Sequence, residues 1–271
     1  YNDYERLQVP FNGRAFGQFN VCTDPVSVGS LTACTTVTAG STAGGRVLLG
    51  PDISRQANEL FVKSFSAEAQ AQIKKNDHNV KLIFERRSRD ISNLFAQNVS
   101  GNFYFDSIAD LQARRANALT FAAPNSGDID SVRALFANII YTLGIQDTWD
   151  VTPDLTVIAG MRYDLYQANR RPVFNPAFLE RNGFANNETL NGRSIFQPRA
   201  GFNYSGVPGL RITGAAGLFA GGGPDVWISN SYSNPGPLLS INTIQRTATG
   251  YTGLAPFEGL TATQLGDLVM N

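Results

Sequence analysis

The sequence predicts an all-β fold, an antiparallel transmembrane β-barrel segment of about seven strands with short periplasmic turns and long extracellular loops. Three observations predict it. Long stretches alternate apolar and polar residues with a period of two, the connections between them alternate strictly between short and long, and aromatic residues sit at two heights on the apolar side.

Taken in chain order, Tyr1 to about Val9 is expected to rise into a first long loop that carries Cys22 and Cys34. The stretch FSAEAQAQI then sets Phe65, Ala67, Ala69, Ala71 and Ile73 against Ser66, Glu68, Gln70 and Gln72, so Lys63 to Lys74 reads as a strand. After a turn over Lys75 to His78, Val80, Leu82 and Phe84 oppose Lys81, Ile83 and Glu85. In the next long connection, DSIADLQARRANAL reads as a short helix capped by Asp106 or Ser107.

The clearest hairpin is LFANIIYTLGIQDTWDVTPDLTVIAGMRYDLY. Leu135, Ala137, Ile139, Tyr141, Leu143, Ile145 and Trp149 fall on one side, interrupted only by Asp147, against a mixed side that includes Asn138, Thr142, Gly144 and Gln146. Past the break VTPD, Leu155, Val157, Ala159, Met161, Tyr163 and Leu165 oppose Thr156, Gly160, Arg162 and Asp164. A third hairpin follows, with Ala200, Phe202 and Tyr204, the turn SGVPG, then Leu210, Ile212, Gly214, Ala216 and Leu218.

Turns within hairpins are expected over residues 75–78, 151–154 and 205–209, while the connections between hairpins, about 88–131, 170–195 and 220 onward, are many times longer. A soluble sandwich has no reason to gather short turns at one end and long loops at the other, whereas an outer-membrane barrel has two unlike rims. Tyr141 and Trp149 lie on the same side, separated vertically by about 20 Å at the usual rise and tilt. An apolar band edged by aromatics has that spacing, so Leu135, Ile139, Tyr141, Leu143, Ile145, Trp149, Leu155, Val157 and Met161 are expected to face lipid.

Composition agrees. The 271 residues carry 22 basic and 22 acidic side chains, so nothing draws the chain to nucleic acid, and no apolar run is long enough for a transmembrane helix. A mean hydropathy of −0.15 is what amphipathic strands give when averaged. Cys22 and Cys34 share a polar loop, which favours a disulfide formed in an oxidising compartment, with two free thiols as the other reading.

Catalytic chemistry has little to stand on. His78 is the single histidine, no Gly-x-Ser-x-Gly elbow exists, and AGGGPD lacks the Lys-Ser/Thr of a phosphate loop. Neither enzyme activity, cofactor nor metal is expected; Asp128 and Asp130 in SGDIDS lack a fuller set of oxygen ligands. The loop PDVWISNSYSNPG gathers Trp227, Asn230 and Tyr232, which suits capture of a ligand, or else Trp227 anchors the loop to its neighbours.

The phrases YTLGIQDTWDVTPDLTVIAGMRYD, FLERNGFANNETLNGRSIFQPRAGFNY and GLFAGGGPDVWISNSYSNPG, together with NLFAQNVSGNFYFDSIADLQA, resemble the barrel region of Oar-like TonB-dependent outer-membrane receptors. That resemblance implies a barrel of about 22 strands, a plug domain inside it, energy supplied through a TonB box touching the TonB complex, and uptake of a solute. The opening residues show no initiator Met or signal peptide, and GDLVMN resembles no closing strand. Residues 1–271 are accordingly expected to be a partial barrel domain, with plug, signal peptide and C-terminal closing strand outside it. A passive porin or adhesin-like barrel without TonB coupling is the rival expectation.

Overall fold

The structure, a computed structural model, describes residues 1–7, 17–23, 45–221, 225–234 and 236–245. In chain order the elements are β1 (Asn2–Leu7), β2 (Gln18–Cys22), β3 (Arg46–Leu49), β4 (Ala57–Lys75), β5 (His78–Ala96), β6 (Asn102–Phe105), α1 (Ile108–Gln112), β7 (Ala118–Pro124), β8 (Ala134–Thr152), β9 (Leu155–Ala168), α2 (Pro176–Asn182), β10 (Ser194–Val207), β11 (Leu210–Gly217), α3 (Asp225–Ser233) and β12 (Leu239–Gln245). Two sheets result. One has seven strands in the order β1-β4-β5-β8-β9-β10-β11, and the other has five in the order β12-β7-β6-β2-β3. The chain divides into two compact units, one holding Phe61–Ser92 and Leu135–Ser231, the other Glu5–Leu60 and Asn93–Ala134.

The seven-stranded sheet follows chain order once β2, β3, β6 and β7 are set aside, so each long connection leaves one strand and returns on its neighbour. Among the described residues it is open, with β1 and β11 at its edges. Its hairpins are tighter than the sequence suggests, since only Asn76–Asp77, Pro153–Asp154 and Pro208–Gly209 lie outside the strands. The difference has a physical cause. Register shifts between Asp150 and Thr152 and between Tyr204 and Val207 break the alternation, so bulged strand ends read as turn. Asn76 at φ 50° and Gly209 at φ 78° take the left-handed conformation that tight turns demand.

Cross-strand register assembles the apolar face. Leu143 pairs with Tyr163 and Tyr163 with Phe196; Ile145 with Met161 and Met161 with Pro198; Trp149 with Val157, Val157 with Phe202 and Phe202 with Gly214. Leu143, Ile145, Trp149, Met161, Tyr163, Phe196 and Phe202 are all exposed. A Cβ on Gly214 would come within 2.6 Å of the Phe202 ring, so the glycine makes room for that ring to lie across the sheet. Contiguous apolar rows of this extent mark a surface that meets something other than water. Charged side chains on this face are met there: the Arg86 guanidinium lies over the Phe65 and Tyr141 rings at 5.6 and 6.0 Å, and Asp147 is met by His78 at the start of β5, whose Nδ1 lies 2.6 Å from the carboxylate and whose ring stacks on Trp149 at 5.2 Å.

The second sheet was not legible as such, because its strands are short and the central ones, β2 and β6, are buried on both sides and show no alternation. β2 is buried throughout and pairs in parallel with β6. Phe103, fully buried, packs with Val21, Phe105 and Leu119, and Phe19 meets Phe103 and Phe105 edge-on at 5.5 and 5.6 Å. The expected short helix is α1, and its cap is Ser107, whose Oγ accepts the Asp110 N–H at 3.0 Å. Asp128 and Asp130 serve structure: Asp128 caps a short 3-10 turn, and Asp130 pairs with Arg133 at 2.6 Å.

In this sheet the Tyr104 hydroxyl lies 3.1 Å from the Cys22 sulfur. Burial, reinforced by the negative charge of Asp106, pushes the phenol up to about 12. Below about pH 10 the phenol is protonated in folded and unfolded chains alike; above that the unfolded chain ionises first, so the sheet loses stability from about pH 10 to 12. Absorbance titration is expected to show Tyr104 ionising later than the exposed tyrosines, alongside Tyr232, which burial also pushes up, and Tyr104→Phe to reduce that late step. Cys22 is disulfide-bonded; Cys34 lies outside the described residues.

Candidate functional site

On the other face of the seven-stranded sheet, the same register brings polar residues together. Thr142 stands opposite Asp164, Gly144 opposite Arg162, and Arg162 opposite Gln197. Asp164 is nearly enclosed and fully engaged. It accepts from Thr142 Oγ1 at 2.6 Å, from Arg162 Nε at 2.9 Å and from Gln197 Nε2 at 2.8 Å. Arg162 Nη2 also donates to Thr142 Oγ1 at 3.2 Å, which closes the network into a ring spanning three strands.

Two further contacts carry the chain back over this face. The Ala220 N–H donates to Gln197 Oε1 at 2.8 Å, and Arg89 Nη1 on β5 donates to Asp225 at the start of α3 at 2.7 Å. Between them and the sheet lies a cavity of about 430 Å³, lined by polar groups from Arg87, Arg89, Arg162, Arg199, Tyr166 and Gln167 and by apolar ones including Leu190, Phe219 and Ile228. A cavity of this size with convergent polar groups can hold a small solute.

Removing the carboxylate is expected to leave Arg162 and Gln197 without their acceptor. Asp164→Ala should cost roughly 1.5–3 kcal/mol, the range for hydrogen bonds to a charged group, and Asp164→Asn less because an amide oxygen still accepts. Urea unfolding in detergent measures both, and equal midpoints for Asp164→Ala and the native protein would contradict the network.

The ligand-binding residues expected from sequence divide. The segment read as a loop is the helix α3, its Ser- and Asn-rich composition having hidden its helical state. Trp227, at 73% exposure, does not anchor its neighbours, and Asn230, one helical turn on, is also exposed. Tyr232 does not join them, being only 8% exposed. Sequence reasoning missed Asp164, Gln197 and Arg199. Their polar phase on the strands is visible in the sequence, but their meeting depends on register, which the long loops conceal.

A family model described as an outer membrane beta barrel domain matches residues 7–267. The chain belongs to that family. No curated protein and no solved structure matches it. This barrel protein therefore resides in the bacterial outer membrane, where short turns face the periplasm and long loops the outside. No described helix is long and apolar enough to cross a membrane, and a barrel crosses with strands. At 19 residues each, β4, β5 and β8 run roughly 60 Å, more than the apolar band requires, so the barrel's strands extend beyond the bilayer.

Proposed function

We propose that this chain forms the barrel of a TonB-dependent receptor that takes up a solute across the outer membrane. The observation that carries the reading is the inner face: the return through Ala220 and Asp225 roofs a small polar cavity, the arrangement of a binding lumen. The resemblance of several ordered sequence phrases to Oar-like receptors supports it. The apolar rows, with Leu135, Leu143, Ile145 and Trp149 exposed and Ile139, Tyr141 and Leu155 half-buried, lie in lipid, and the polar face looks inward. Trp227 and Asn230 contact the solute first, a plug domain and the TonB complex are partners, and neither catalysis nor a cofactor is involved.

Energy dependence tests this reading. In cells relying on this protein for uptake, dissipating the proton gradient or removing TonB is expected to stop accumulation. Continued entry, with steady conductance in planar bilayers, would point instead to a passive porin; surface adhesion without entry would point to an adhesin. The Cys22–Cys34 bridge belongs to the same proposal: mass spectrometry of unreduced, membrane-assembled protein should yield the linked peptide, and quantitative alkylation of both thiols would rule it out.

A further inference from the structure

Three of the four guanidiniums lining the inner cavity already have a carboxylate. Arg162 is held by Asp164 at 2.9 Å, Arg89 by Asp225 at 2.7 Å, and Arg87 by Glu85 at 2.9 Å. Arg199 has none. Among the described residues its Nε–H lacks any acceptor, and its Nη2 reaches only Gln146 Oε1, at 3.5 Å. Arg199 is half-buried but its Nε is inaccessible, and an inaccessible donor left in this state is costly unless an acceptor completes it.

The sheet is built around that side chain. Arg199 on β10 is flanked by Gly160 on β9 and Gly217 on β11. A Cβ on Gly217 would lie 2.8 Å from the Arg199 Cβ, and one on Gly160 would lie 2.9 Å from the Ile145 carbonyl oxygen. Neither position tolerates a side chain. No side chain directly opposite can therefore stand beside the guanidinium on this face, and the fork is left open toward the cavity.

We propose that this cavity binds a small monoanionic solute, a carboxylate on a partly apolar body, with Arg199 as the residue that selects the charge. A guanidinium presents paired N–H donors that match a carboxylate, which places the anionic end at Arg199. The cavity offers Leu190, Phe219 and Ile228 for the body and Tyr166 for its polar groups. One uncompensated positive charge fits one negative charge. The inference rests on the cavity that carries the uptake reading but not on energy coupling, so uptake that persists without TonB would leave the site standing, and equal binding of acid and amide would overturn the charge selection alone.

The test uses the full protein in detergent and two probes that differ only in charge, N-acetylphenylalanine and its neutral amide, followed by calorimetric titration. The native protein is expected to bind the acid at least about ten-fold more tightly than the amide. Arg199→Gln should abolish that preference while amide binding and thermal unfolding stay close to native, showing that the cavity is intact. Arg199→Lys should restore part of it. Arg211→Gln, which removes the same charge from an exposed position on β11, should leave the preference unchanged. Equal binding of acid and amide by the native protein, no binding of either, or a preference that survives Arg199→Gln would overturn the proposal.

Discussion

Ile145→Arg is expected to destabilise the membrane-inserted barrel by roughly 2–4 kcal/mol, the cost of a guanidinium near the bilayer midplane of a barrel wall. Ile145 lies midway between Tyr141 and Trp149, is 41% exposed, and shares a row with Met161 and Pro198. The carboxylate nearest along that face, Asp147, is already engaged by His78 at 2.6 Å. The next residue supplies the contrast. Gln146 lies on the polar face, 3.5 Å from the Arg199 guanidinium, so Gln146→Glu also introduces a charge but meets an opposite one. It should cost less than about 1 kcal/mol. Urea titration of both variants in lipid vesicles reads the difference, and comparable losses would mean that the two faces do not differ as described.

Phe103→Ala is expected to cost about 3–5 kcal/mol, the usual penalty for truncating a fully buried ring, and to act on the five-stranded sheet. Phe103 is wholly inaccessible and touches Phe19 edge-on. A small sheet has little stability in reserve, so a loss of this size suffices to open it. Limited proteolysis should then cut within residues 102–124, while the long strands keep the heat-dependent mobility of a folded barrel. Unchanged protease resistance would show that the aromatic cluster does not hold this sheet.

The sequence made the three hairpins of the larger sheet readable because their strands have one face in an apolar medium and one against polar groups, which imposes a period of two. Phe65 to Ile73 in β4 and Leu143 to Trp149 in β8 carry that signal, broken only at Asp147. Where both faces are buried the signal vanishes, so QFNVC and NFYF read as loop although they are the parallel core pair β2 and β6. Helix α3 was hidden for another reason, its Asn and Ser residues favouring turns locally. The cavity was the least legible feature. Asp164, Gln197 and Arg199 each look like an ordinary polar phase of a strand, and only the pairing of β8, β9 and β10 brings them together. Asp147 shows the same limit on the apolar face, since its partner His78 comes from the start of β5, far away in the chain.

The central claim, that one face of this sheet lies in lipid and the other does not, is tested most directly by spin labels at positions 145 and 146, introduced as Ile145→Cys and Gln146→Cys. In reconstituted membranes the nitroxide at 145 is expected to relax strongly with lipid-soluble oxygen and weakly with a water-soluble nickel complex. The label at 146 should lack that preference. Equal response of both positions to the two reagents would contradict the account, because the apolar face would then not be in lipid.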